Sequence, residues 1–291
     1  MRLAILMVYG DEHVNHIKHM VIPALAKQTY NSTIELHLVN YAASTSHFSR
    51  TDNLEDVHVY DHSDKRKNIR IGFGEGINYL FKSVMPEPYF LCLNPDTLLD
   101  GKAISALTKR FDLKTSGIIE AQQWPSEHPK EHDQETGHTP WASGACALMS
   151  SQMFSEIGGF DALYFLYCED VDISWRAWLA GREVVYEPKA KVMHYTGLLH
   201  YRTDRYYYEH FYSARNFILI SRKFFGERGE KRAISLLSTM PYSDAFKHQV
   251  KSDYACVKPQ IKEVSSPVQH PMIKILGFNL YHVFKSEAHD D

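Results

Sequence analysis

At 291 residues, 44% of them hydrophobic and 13% aromatic, the chain can bury a substantial core as one large domain or one domain with a small appendage. Its formal net charge of -3 selects no partner, and no run approaches the roughly 18 apolar residues of a membrane-spanning helix. Cys92, Cys146, Cys168 and Cys256 lack zinc-site spacing and read as free thiols of a reducing compartment.

Leu3 to Tyr9 reads as a fully buried strand; Gly10-Asp11-Glu12 follows it with no small-residue cleavage site, which argues against an export signal. His16 to Gln28 has helical spacing, with Pro23 bending the helix or shifting its start. Ile34 to Val39 and Val57 to Tyr60 are strands, and Gly72, Gly74 and Gly76 open a helix carrying Ile77, Leu80 and Phe81. Tyr89 to Leu93 is a strand that delivers Asn94-Pro95-Asp96 at its carboxyl end; Leu98 to Arg110 follows as a helix and Ser116 to Glu120 as a strand. This alternation predicts a mostly parallel sheet with helices on both faces, whose ligands sit beyond the strands' carboxyl ends.

Gln122 to Pro140 is polar and reads as a mobile loop. Ala145 to Met149 is a strand, Ser151 to Ile157 a short helix, and Glu169 to Ala180 an amphipathic helix with Trp175 and Trp178 on its aromatic side. Val184 to Tyr186 and Lys191 to His194 are short strands, Arg205 to Phe225 and Glu230 to Thr239 helices. Pro241 to Pro267 has no steady period, and Ile273 to Phe284 suggests one last amphipathic segment. From Lys189 to Lys251 basic residues outnumber acidic ones, which fits contact with phosphates or anionic lipid as well as a solvated helical face.

Three element ends carry chemistry. Asp96 follows a proline at a strand tip, where a carboxylate can ligate Mg2+ or Mn2+ between phosphates or simply cap the next turn. Glu169, Asp170 and Asp172 crowd three carboxylates into four positions; they repel one another unless a cation or a helix amino-terminus accepts them. His194 ends a Val-Met-His strand and suits Mn2+, although one histidine among 17 is more often structural. Gly72 to Gly76 lacks the GxGxxG spacing of a dinucleotide fingerprint, and a Walker lysine is absent.

The ordered series Asn68-Ile69-Arg70-Ile71-Gly72-Phe73-Gly74-Glu75-Gly76-Ile77-Asn78, Leu93 to Asp96, Ser143 to Leu148, Gly158 to Asp161, Glu169 to Arg176 and Val192 to His194 resembles family 2 inverting glycosyltransferases of the GT-A fold, in their bacterial rhamnosyltransferase-like branch. The resemblance implies an α/β GT-A domain over residues 1–220 and a helical or irregular extension over 221–291. It implies Asp170 as general base, Glu169 and Asp172 as its supports, and Asp96 with His194 as ligands of Mg2+ or Mn2+. Arg70, Gly74, Asn78, Asn94, Asp96, Gly144 and Ala145 then border the nucleotide-sugar donor and Trp141 the acceptor; the aromatic and basic series from Tyr195 to Tyr208 fits an acceptor sugar at Tyr195 and a leaving phosphate at Arg202 and Arg205 as well as an interface rim between helices. Asn40 stands where relatives carry an acid that accepts a hydrogen bond from a pyrimidine, which forfeits charge assistance.

The function implied is metal-dependent inverting transfer from a UDP- or dTDP-linked sugar to a hydroxyl of a glycan or lipid-linked acceptor in surface polysaccharide synthesis. The setting implied is cytoplasmic, with peripheral contact at the inner membrane face, a homodimer as a further option and no nucleic acid. The Asn40 replacement motivates the alternative of a weak or inactive carbohydrate- or nucleotide-binding relative within a polysaccharide assembly complex.

Overall fold

The computed structural model describes residues 2–42, 45–65, 70–128, 130–195, 203–264 and 270–281, with the backbone alone for 203–206. The elements run β1 (Leu3–Tyr9), α1 (Val14–His16), α2 (Ile22–Ala26), β2 (Ile34–Asn40), β3 (Val57–Asp61), α3 (Phe73–Val84), β4 (Tyr89–Leu93), β5 (Thr97–Leu99) and α4 (Ala103–Arg110). They continue with β6 (Ser116–Trp124), β7 (Cys146–Ser150), α5 (Ser151–Glu156), α6 (Glu169–Leu179), β8 (Glu183–His194), α7 (Thr203–Thr239), α8 (Asp244–Val257) and the hairpin strands β9 (Ile275–Gly277) and β10 (Leu280–Tyr281).

One eight-stranded sheet takes the order β3-β2-β1-β4-β7-β6-β8-β5. Its pairings are parallel at β3-β2, β2-β1, β1-β4 and β6-β8, and antiparallel at β4-β7, β7-β6 and β8-β5. Both faces are covered, which is why β1 is a continuous apolar run rather than an alternating one. Leu3, Ile5 and Met7 meet Ile17, Val21 and Leu25 on one side together with Ile104 and Leu107 of α4. Leu6 and Val8 meet Ile77 and Leu80 of α3 on the other, with Phe154 of α5 and Ile173 of α6. A third cluster joins Val171 and Trp175 of α6 to Phe217 and Phe224 of α7, Val250 and Tyr254 of α8, and Tyr281.

Several local readings change. The segment expected to be helical from Leu98 begins as β5, because Thr97, Leu98 and Leu99 pair with His194, Met193 and Val192. Gln122, Gln123 and Trp124 extend β6 rather than opening the loop, since β8 offers them a parallel partner. The two strands expected before His194 are one, β8, with a register irregularity opposite Ala121 and Gln122. A π-helical turn at Ile17–Val21 precedes Pro23, where the missing amide hydrogen interrupts the ordinary α ladder. Within Pro241 to Pro267, α8 forms behind a Ser243 cap that accepts from the Phe246 amide, and Phe246, Val250, Tyr254 and Val257 supply the helical spacing of its inner face. The last segment is a hairpin rather than a helix as far as Tyr281. The boundary expected near residue 220 falls inside α7.

Buried histidine makes this fold acid-sensitive. Burial, and then the charges of His62 and Arg2, push His37 down to about 3, while an unfolded histidine protonates near 6.5. The unfolded chain therefore binds a proton that the folded chain refuses, so stability falls as pH drops from about 6.5 towards 3, by up to ~1.4 kcal/mol per unit for this group. His37→Phe keeps the stack on Tyr60 and is expected to flatten the dependence of the urea-unfolding free energy on pH between 6.5 and 5. Equal slopes in the two proteins would count against this account.

Candidate active site

The sheet order puts the carboxyl ends of β1, β2, β4, β6 and β8 along one edge, and the start of antiparallel β7 lies there too, with Cys146 opposite Leu93. Asp11, Asn40, Asp96, Gln123, Ser143, Gly144 and His194 consequently gather at that edge from strands far apart in sequence. At Asn94-Pro95-Asp96, the Asn94 amide donates to the Ala145 carbonyl at 2.9 Å, and the Thr97 hydroxyl donates to the Asn94 carbonyl at 2.6 Å. The β5-β8 register then sets Asp96 beside His194: the Tyr195 amide donates to the Asp96 carbonyl at 2.9 Å, and His194 Nε2 stands 3.4 Å from Asp96 Oδ1.

The other imidazole nitrogen, Nδ1, lies 2.7 Å from Gln123 Oε1. With Gln123 Nε2 turned towards Glu120 Oε1 at 3.4 Å, its amide oxygen accepts from Nδ1–H, so the Nε2 lone pair faces the Asp96 carboxylate. That pair can share a proton or a divalent cation, and an imidazole nitrogen with a carboxylate oxygen suits Mg2+ or Mn2+. Among the described residues no group of three or more His, Cys, Asp or Glu could hold a metal ion.

Glu120 is fully buried and accepts from Lys130 Nζ at 2.7 Å and from the Ser143 amide at 2.9 Å. Burial pushes its carboxyl up to about 7 against the pull of Lys130. Lys130 Nζ also sits 4.0 Å from the centre of the Trp141 ring. The segment after Trp124, expected to be mobile, is thus tied to the site; Glu127 adds to this by accepting from the Gln123 amide at 2.9 Å and the Tyr186 hydroxyl at 3.1 Å.

The three acids opening α6 have different surroundings, because successive helical residues turn by about 100°. Asp170 is partly open, and its Oδ1 accepts from the Val171 amide at 2.9 Å. Burial raises its carboxyl above the ordinary range, while the Lys130 ammonium and the Val171 and Gly144 amides pull it back. Glu169 is buried; desolvation and then the Asp170 charge hold it well above its usual value. Asp172, fully buried, turns inward to Arg176 Nε at 2.7 Å and to Lys223 Nζ. Just ahead of these acids, Tyr167 and Cys168 occupy left-handed backbone, at φ 67° and 68°, which costs about 1–3 kcal/mol each. Asn216 of α7 offsets this by donating to the carbonyls of Leu166 and Tyr167, both at 2.7 Å.

No protein-family model matches the chain. Part of it is similar to rhamnosyltransferases: 42% identical over 71 residues to the N-acetylglucosaminyl-diphospho-decaprenol L-rhamnosyltransferase of Mycobacterium tuberculosis, and 32% over 105 residues to the rhamnosyltransferase WbbL of Escherichia coli. These matches take in 24% and 33% of this chain and only 20% and 39% of the relatives. The structures of GalNAc-T7 with UDP, GalNAc and Mn2+ and of the Pyrobaculum calidifontis mannosyltransferase PcManGT with GDP-Man and Mn2+ superpose with TM-scores of 0.60 and 0.58, at 13% and 12% identity. Each superposition takes in 88% of this chain, and 54% and 80% of those chains. The chain has the GT-A fold, and part of it is similar in sequence to rhamnosyltransferases.

Other expected site residues are already engaged. Asn40, fully buried, donates from Nδ2 to Asp11 Oδ1 at 2.6 Å and accepts from the Ala42 amide at 2.9 Å. Asn78 clamps Phe160 through both functions, at 2.8 and 2.9 Å, and Gly74 admits the Phe160 side chain where a Cβ would stand 2.7 Å from it. Trp141 is buried with Lys130 over its ring, and Tyr195 meets His16 edge-on at 5.6 Å. Arg70 is exposed and lies over Tyr41 and Phe165 at 5.5 and 5.4 Å. Gly144 and Ala145 are buried in the turn that faces Asn94. Arg202 and the Arg205 side chain lie outside the described residues. Glu120, Gln123 and Lys130 were not singled out from sequence; the available signal was a carboxylate inside the apolar run Ile118-Ile119-Glu120-Ala121.

Asp172 is expected to act on the fold rather than on chemistry. Asp172→Ala removes the carboxylate that Arg176 and Lys223 share, leaving Arg176 the Ile157 and Gly159 carbonyls and Lys223 the Asp161 carboxylate, and guanidinium unfolding should register a loss of about 1–3 kcal/mol. A change within 0.5 kcal/mol would refute the buried network as a stabilising element.

Proposed function

We propose that this protein transfers a sugar from a nucleoside-diphosphate sugar to a hydroxyl of a glycan or lipid-linked acceptor, with inversion and with Mg2+ or Mn2+ as cofactor. The observation that carries the reading is the meeting of Asp96 and His194 at 3.4 Å on the edge where the Asn94 turn is bonded to Ala145 and Gly144 adjoins Asp170. Mn2+ in the PcManGT and GalNAc-T7 structures and the rhamnosyltransferase names of the sequence relatives support it.

Asp96 and His194 would hold the cation, which when bound would stabilise negative charge on the departing diphosphate. Gln123 keeps His194 in the tautomer that offers Nε2. Asp170 accepts the proton of the acceptor hydroxyl; its oxygen bonds to the anomeric carbon opposite the nucleotide, and the carbon–phosphate-oxygen bond breaks with its electron pair leaving on the nucleoside diphosphate. One base suffices for this displacement, in contrast to hydrolysis between two carboxyl groups. Asp11, presented by Asn40 and 3.0 Å from His47 Nε2, supplies a carboxylate at the β2 edge where Asn40 itself brings none. The donor in this reading is UDP- or dTDP-linked. The relative whose name contains diphospho-decaprenol supports a lipid-linked acceptor, reached at the inner face of the cell membrane; among the described residues no helix is long and apolar enough to cross one.

Asp170→Asn should leave UDP or dTDP binding intact and lower turnover by about 100-fold or more, the scale of general-base catalysis; near-normal transfer would overturn the assignment of the base. Because its carboxyl is raised, the rate should decline as pH falls through a midpoint above the ordinary aspartate range near 3.8. Gln123→Leu frees the His194 ring, and calorimetric titration of Mn2+ in the presence of UDP should read an affinity about tenfold weaker. An unchanged titration would remove Gln123 from the metal site.

A further inference from the structure

α7 is bent at Gly226, which takes φ 61°, and its two halves close against each other at Gly229, where a Cβ would collide with the Ser221 carbonyl oxygen. The elbow and the edge of β9 line an open cleft of about 430 Å3, within the ~300–1,000 Å3 range of small-molecule sites. Phe217, Phe224 and Ala233 form its buried wall, and Phe225, Leu236 and Ile275 its half-open or exposed margin. Arg228 and Arg232, four residues apart and so on one helical face, complete the lining. Both are exposed, and among the described residues neither forms an ion pair, whereas nearby Arg222 is bound to Glu230 and Glu263.

An apolar hollow beneath two uncommitted guanidinium groups is complementary to an amphiphile with a hydrocarbon chain and a phosphate head. Guanidinium binds phosphate oxygens in bidentate fashion, and the aromatic wall buries the chain. The cavity wall also backs the helix bearing the proposed base: the Trp175 ring lies 4.9 Å from Phe224 and 6.0 Å from Phe225. Trp175 follows Asp170 by five residues, about 7.5 Å of helical rise. Phe217 meets Tyr281, whose hydroxyl lies 3.2 Å from Cys168 Sγ at the start of the same helix.

We infer that this cavity binds the prenyl-phosphate portion of a lipid-linked acceptor, the chain between the phenylalanines and the phosphate on Arg228 and Arg232. The inference rests on the reading of the acceptor as lipid-linked, and it makes α7 a substrate-binding element.

The test uses the full chain and farnesyl phosphate below its micellar concentration, followed by equilibrium dialysis, with farnesol and inorganic phosphate as comparison probes. Farnesyl phosphate should bind saturably, and each comparison probe at least tenfold more weakly. Replacing both arginines, Arg228→Ala with Arg232→Ala, should weaken farnesyl phosphate tenfold or more; Leu236→Trp, which fills the mouth, should do the same. Circular dichroism and Mn2+-dependent UDP binding should be unchanged in both variants, which separates the cavity from folding and from the donor site. Absence of saturable binding, equal binding of inorganic phosphate, or indifference to both variants would overturn the proposal. Farnesyl phosphate binding without any binding of UDP or dTDP in the presence of Mn2+ would uphold the cavity and instead refute the glycosyltransferase reading.

Discussion

A carboxylate removed from water costs several kcal/mol unless hydrogen bonds and charge replace its hydration, and Glu120 in the middle of β6 draws partners from its own strand and from the segments around Lys130 and Ser143. The Ser143 amide, the Lys130 ammonium and the Gln123 side chain converge on Glu120 Oε1. Each partner carries a consequence. Ser143 places the turn that brings Gly144 beside Asp170; Lys130 draws the polar segment after Trp124 over the sheet edge and lowers the cost of ionising Asp170; Gln123 orients His194 towards Asp96. The buried acid thus adds side-chain links to the ladders that already join the ends of β6, β7 and β8.

The second constraint is the start of α6. Glu169, Asp170 and Asp172 repel one another, and the helix relieves this by sending them to different places: Asp172 to a lysine and an arginine, Asp170 to backbone amides at the site, Glu169 into an environment that favours its neutral form. The turn that presents them is strained at Tyr167 and Cys168 and is held by Asn216 and by Arg215, which donates to the Leu163 carbonyl at 2.8 Å. α7 therefore supports the proposed base directly, and its aromatic face continues the core that Trp175 begins.

Much of this was legible in the residues. Short apolar runs such as Leu3–Tyr9 and Tyr89–Leu93, bounded by turn residues, read as strands buried on both faces, and acids at their ends then emerge at a sheet edge. The helices at Phe73–Val84 and Glu169–Leu179 follow from their spacing. β5 was hidden because Thr97-Leu98-Leu99 fits the onset of a helix as well as a strand, and only β8 decides between them. α8 was hidden because its inner face is a narrow stripe, Phe246, Val250, Tyr254 and Val257, of which two side chains are buried.

The sequence by itself determined the alternation of strands and helices, and the placing of Asp96, Asp170 and His194 at element ends, since both depend on periodicity within a few residues. Which of those ends meet, and which polar groups are consumed by the fold, was decided by tertiary structure. Asn78 reads as a donor-site residue until Phe160, 82 positions away, takes both of its hydrogen-bonding functions. Glu120 reads as an irregularity in a strand until Lys130 and Ser143 reach it. The physical reason is that a buried polar atom must be satisfied by whatever the fold brings within 3 Å, and sequence distance carries no information about that.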